Sequence, residues 1–141
     1  MYGDTETIRG LARTMREQGT ALRVEAGAVL AQAESTPWTG LAADAMRLRV
    51  RAQTAALRRT AGLADDAAAV LERHADEVDR LKALIAAIER AALALVAAAR
   101  ERLGGLVGAV LPDPVDQLLA RFVPPPSGHR DWLAVDLPGL P

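Results

Sequence analysis

Apolar residues recur along the first part of the chain in steps of four and three: Ile8, Ala12, Met15, Gly19, Leu22, Ala26, Val29 and Ala33. This spacing lines one face of a helix and marks helix-on-helix packing. Large side chains (Ile8, Met15, Leu22, Val29) alternate with small ones (Ala12, Gly19, Ala26, Ala33), which predicts a neighbour at close range. Arg9, Arg13, Arg16, Glu17, Arg23 and Glu25 form the solvated face. Ser35-Thr36-Pro37 ends this first helix, because proline lacks a donor and pushes the residue before it out of the helical region.

A second run starts after Pro37-Trp38-Thr39-Gly40, with Thr39 as the expected N-cap. Its expected contact face holds Leu41, Ala45, Leu48, Ala52 and Ala55, then Leu63, Ala67, Val70, Leu81, Ile85, Ile88, Ala92, Leu95 and Ala99. Arg59 and His74 interrupt that face. No proline occurs before Pro112, so one helix from about residue 40 to about 103 is expected, with a weak point at Gly62. The opposite face is also apolar: Leu57, Ala61, Ala64, Ala68 and Ala75. A helix with two apolar sides requires more than one neighbour.

The expected fold is therefore all-α. An antiparallel helical hairpin occupies residues 1–103, and residues 104–141 form a flexible connection, a short amphipathic helix and an extended proline-rich tail. The hairpin interface is assigned to Ile8, Met15, Leu22, Val29, Leu41, Leu48, Leu63 and Val70. In a symmetric hairpin, facing residue numbers sum to about 76. Arg9 and Arg13 then meet the region of Asp65 and Asp66, Glu25 meets Arg51, and His74 stands opposite Tyr2. Trp38 is expected to plug the end of the pair, and Gly40 to allow the helices to touch.

Past residue 72 the second helix outruns the first, so its apolar side chains need other cover. Val78, Leu81, Ile85, Ile88, Leu95 and Phe122 are assigned to docking of either a partner or the C-terminal helix. That helix is signalled by Asp113-Pro114, an N-cap followed by proline at the first helical position, and by Val115, Leu118, Leu119 and Phe122 on one face. The tail from Pro124 to Pro141 carries Trp132, Leu133, Val135 and Leu137, and reads either as a docked peptide or as disordered chain.

Composition narrows the chemistry. The 141 residues are 50% hydrophobic but only 3% aromatic, which favours helices and thin, alanine-built cores. A net charge of −1 offers no global field for nucleic acid, and the arginines at 47–59 lack interleaved aromatics, so no nucleic-acid partner is expected. There is no cysteine. His74 and His129 belong to no ligand cluster, and no phosphate loop or nucleophile elbow occurs, so neither enzyme activity, metal nor cofactor is expected. The amino terminus lacks a basic and apolar leader, and no uncharged stretch reaches the length of a membrane span.

Two helical runs joined by Trp38-x-Gly40 resemble the WXG (ESAT-like) proteins, small helical hairpins of type VII (ESX) secretion systems in actinobacteria and Firmicutes. The resemblance covers roughly residues 4–80, and the alanine- and arginine-rich usage looks actinobacterial. It implies export without a cleaved signal peptide, dimerisation into a four-helix bundle as a homodimer or heterodimer, and contact with a secretion ATPase or chaperone. Many such substrates carry Tyr-x-x-x-Asp/Glu after the second helix. Here the nearest imitation, His74-x-x-x-Val78, fails at the acidic position, which points to the signal-less partner of a co-exported pair, a divergent substrate, or a hairpin that is not exported. A cytosolic helical adaptor is the alternative reading. A membrane-active amphipathic protein, using residues 81–111, is the third.

Overall fold

The computed structural model describes residues 4–108 and 110–141. The regular elements among the described residues are all helical: α1 (Thr5–Ser35), α2 (Leu41–Gly104), α3 (Pro114–Ala120) and a short 3-10 helix, η1 (Arg130–Ala134). The chain forms two compact units, one of Asp4–Asp76 and one that includes Glu77–Pro141. Their division falls inside α2 rather than after residue 103, because the tail packs onto the distal part of that helix.

Each helix starts and stops for a local reason. Asp4 caps α1 by accepting from the Glu6 amide, and its other oxygen accepts from the Thr7 hydroxyl. At the far end the Thr36 amide and hydroxyl both donate to the Gln32 carbonyl, and Thr36 is extended, as the residue before a proline prefers. Gly40, not Thr39, stands immediately before α2, and its carbonyl accepts from the Asp44 amide. It has φ +106°, a conformation open to glycine at little steric cost. No atom lies within 4 Å of where a Gly40 side chain would sit, so its role is backbone conformation rather than close approach. Gly62 does not interrupt α2.

In the unit Asp4–Asp76 the contact runs along small residues. Ala12, Gly19, Ala26 and Ala33 are the buried positions of α1, and Ala43, Thr54, Ala61, Ala68 and Ala75 those of this part of α2. The closest approach is at Gly19, where an added Cβ would sit 3.1 Å from the Ala61 carbonyl oxygen and 3.0 Å from Asp65 Oδ1. Ion pairs run in opposite order along the two helices: Arg9–Asp76 at 2.8 Å, Arg16–Glu72 at 2.7 Å, Arg23–Asp65 at 2.6 Å and Glu34–Arg51 at 2.8 Å.

The expected register and face are both corrected. Gly19 meets Ala61 and Ala33 meets Arg47, which is four residues, or about one turn, further along α2 than a sum near 76 requires. Arg9 therefore pairs with Asp76 rather than meeting Asp65 or Asp66, and Arg51 pairs with Glu34 instead of Glu25. The contact face of α2 is the alanine stripe, not the leucine stripe: Leu41 is 90% exposed, Leu48 68%, Leu63 67% and Val70 54%. Small residues on α1 draw the α2 backbone close, and only small residues fit opposite them. The pairing expected between His74 and Tyr2 lies outside the described residues.

In the other unit, α3 and η1 cover one side of α2. Ile85, Ala92, Ala99, Leu119, Trp132 and Leu137 form the buried cluster, with Ile88, Leu95, Phe122, Val135 and Leu140 packed against it. The tail is thus docked, as a turn and a 3-10 helix. Trp132 is 1% exposed, donates from Nε1 to the Pro126 carbonyl at 3.0 Å, and lies tilted against Phe122. Asp113 caps α3 by accepting from Val115, with Pro114 in the first turn.

Candidate interaction surface

The turn between α1 and α2 is held by a residue outside the Trp-x-Gly pattern. Arg47 Nε donates to the Ala33 carbonyl at 3.3 Å, and Nη2 donates to the carbonyls of Thr36 (2.9 Å) and Trp38 (2.6 Å). A guanidinium at the carbonyl end of α1 satisfies acceptors that the helix leaves open and suits its dipole. Trp38 does not plug the pair: it is 47% exposed. The arginine spacing gave no signal for this role, since Arg47 sits among four other arginines within residues 47–59.

The two flanks of the contact line in this unit differ in chemistry. Arg9, Arg16 and Arg23 lie on one side of α1 and reach Asp76, Glu72 and Asp65 on α2. The hydrogen-bonded guanidinium of Arg16 holds the Glu72 carboxyl below the usual carboxylate range. On the other side, three residues past each contact position, stand Met15, Leu22 and Val29, with Ile8 preceding them. The matching positions of α2 are Val50, Leu57, Ala64 and Leu71. Val29, Met46 and Val50 line one open groove of about 240 Å³ with Gln32, Ala33 and Thr36. All of these large side chains are half-buried except Val29, which is exposed, so two apolar ridges border the seam with nothing over them among the described residues. Leu63 and Val70, about 100° further round α2 from this ridge, are exposed.

The residues assigned to docking divide differently. Val78 and Ile85 are buried, Ile88, Leu95 and Phe122 pack on the cluster around Trp132, and Leu81 is half-buried. The chain's own C-terminal segment covers Ile85, Ile88 and Leu95. Leu119, Trp132 and Leu137 supply most of that cover, and Arg102 fastens α3 through Asp116 at 2.6 Å. This charge-assisted hydrogen bond keeps the Asp116 carboxyl below its ordinary range. Glu89 Oε2 accepts from the Gly128 amide at 3.0 Å and pins the loop before η1.

Among the described residues there is no group of three side chains suited to a metal, and no helix long and apolar enough to cross a membrane. Comparison with protein-family models, with curated proteins and with solved structures finds no match.

Proposed function

We propose that the chain is a non-enzymatic interaction protein of the WXG kind, a helical hairpin that works by packing against another helical pair in a four-helix bundle. The observation that carries this reading is the asymmetry of the unit Asp4–Asp76: one flank closed by ion pairs, the other a pair of uncovered apolar ridges at heptad spacing. The Trp38-x-Gly40 turn supports a place in type VII (ESX) secretion, as a substrate or secretion-associated protein exported without a cleaved signal peptide. A partner bearing Tyr-x-x-x-Asp/Glu would supply the export signal to such a pair.

The cover over Ile85, Ala92 and Ala99 of α2 comes from the chain itself, so the ridges of Asp4–Asp76 carry the case for a partner. A cytosolic adaptor would use the same ridges without export. Light scattering of the purified chain, alone and with the product of the neighbouring open reading frame, tests the reading. A two-chain mass in either sample is expected. A monomer in both, at concentrations up to the millimolar range, removes it.

A further inference from the structure

We infer that the outward face of α2 between Leu41 and Arg59 docks an acidic amphipathic helix of a different protein. The face is a stripe at steps of four and three: Leu41, Ala45, Leu48, Ala52, Ala55 and Arg59. It lies on the side of α2 away from Val50, Leu57 and the contact with α1, so it is separate from the ridges of the interaction reading above. Leu41 is 90% exposed and Leu48 68%, and Ala45 and Ala52 are exposed between them. Large and small residues alternating at heptad spacing make a narrow seam, the shape that receives the side chains of another helix. A lipid surface is met instead by a broad apolar face, which this stripe, ending on Arg59, does not offer.

The charges beside the stripe set the chemistry of that helix, because in a helix pair the positions flanking the seam choose the partner. Here they are Asp44, Arg49, Arg51, Ala56 and Arg58, three arginines against one carboxylate, and Arg59 adds a fourth on the seam itself. Asp44 lies 3.6 Å from the Arg47 guanidinium, and Arg51 is taken by Glu34 of α1. Arg49, Arg58 and Arg59 are exposed and make no ion pair among the described residues. A second copy presents the same arginines, so self-pairing through this face sets like charge against like in either direction. A foreign helix with Glu or Asp at its flanking positions meets those unpaired guanidiniums instead. From Leu41 to Arg59 the seam rises about 27 Å, the length of a helix of roughly 20 residues.

The test follows the fluorescence anisotropy of a labelled synthetic peptide titrated with the full-length chain. The peptide has three heptads, with leucine at the two seam positions and glutamate at the flanking ones. It is expected to bind, to weaken as salt is raised, and to bind about tenfold more tightly than a twin with lysine for glutamate. Arg49→Glu with Arg58→Glu should reverse that preference, and Leu48→Ser should weaken binding about tenfold. All these side chains are exposed, and circular dichroism checks that each variant keeps the parent's helix content. Equal binding of the two peptides, or binding of neither, overturns the proposal. So does binding of phosphatidylglycerol vesicles without binding of the glutamate peptide, which would assign the face to lipid. Val29→Ser, on the ridge of α1, should leave the peptide's affinity unchanged. Loss of affinity there would place the peptide on the ridges, overturning this site while leaving the interaction reading standing.

Discussion

Gly19 and Gly40 show how the same residue type serves two needs. Gly19 lets α1 approach the Ala61 carbonyl, whereas Gly40 supplies a positive φ with open space around it. Gly19→Ala should therefore lower stability, since its Cβ would meet a backbone oxygen at 3.1 Å. Gly27→Ala and Gly62→Ala should raise it by up to about 1 kcal/mol each, because both lie within helices and nothing stands within 4 Å. Urea titration of the three variants checks the sign at each site. Arg47 is the other decisive single residue. Arg47→Lys should cost about 1–2 kcal/mol, since an ammonium cannot fork across three carbonyls, and amide exchange at residues 36–40 should quicken. Nothing in the sequence distinguishes Gly19 from Gly27 or Arg47 from Arg49, because their roles arise only when the helices meet.

At the level of elements, the extents of the helices were legible and the face of α2 was not. Asp4, Pro37, the glycines at 104–105 and Asp113-Pro114 act locally, so their effect can be read from sequence alone. The α2 sequence has two stripes of heptad spacing, and periodicity does not say which one touches α1. The larger residues of Leu41, Leu48, Leu63 and Val70 suggested the wrong one. The register slipped for a related reason: the connection leaves α1 extended at Thr36, so α2 begins with a turn that has no opposite number, and Leu41 remains exposed. Exchanging the charges of Glu34 and Arg51 together should recover whatever either single reversal loses, about 0–1 kcal/mol for so exposed a pair. The Glu25–Arg51 combination should give only additive losses. A double-mutant cycle by thermal melting decides between them. The attachment of α3 should depend on acid. Because the Asp116 carboxyl is held below its unfolded value, its contribution is complete above about pH 4 and disappears as pH falls through the lowered value. Asp116→Asn should flatten that part of a stability–pH profile.

For the molecule as a whole, the tail changes what is left for a partner to cover. Its composition of prolines around Trp132, Leu133, Val135 and Leu137 fits a docked peptide as well as a disordered one, and what decides is the apolar face of α2 at 85–99 that receives Trp132. Trp132→Ala should destabilise the unit of Glu77–Pro141 by about 3–5 kcal/mol and strip exchange protection from α2 amides at 85–99. The bulky, fully buried side chains Trp132, Ile85 and Leu119 all belong to that unit, while Asp4–Asp76 closes over alanine, glycine and threonine. The thermodynamic signature should follow. A contact line of small residues removes little apolar surface from water, so unfolding of Asp4–Asp76 should show a heat-capacity increment below the usual ~12–15 cal/mol/K per residue. Its stability should accordingly vary weakly with temperature. Covering the ridges would restore an ordinary increment, making calorimetric curvature a sensitive gauge of association.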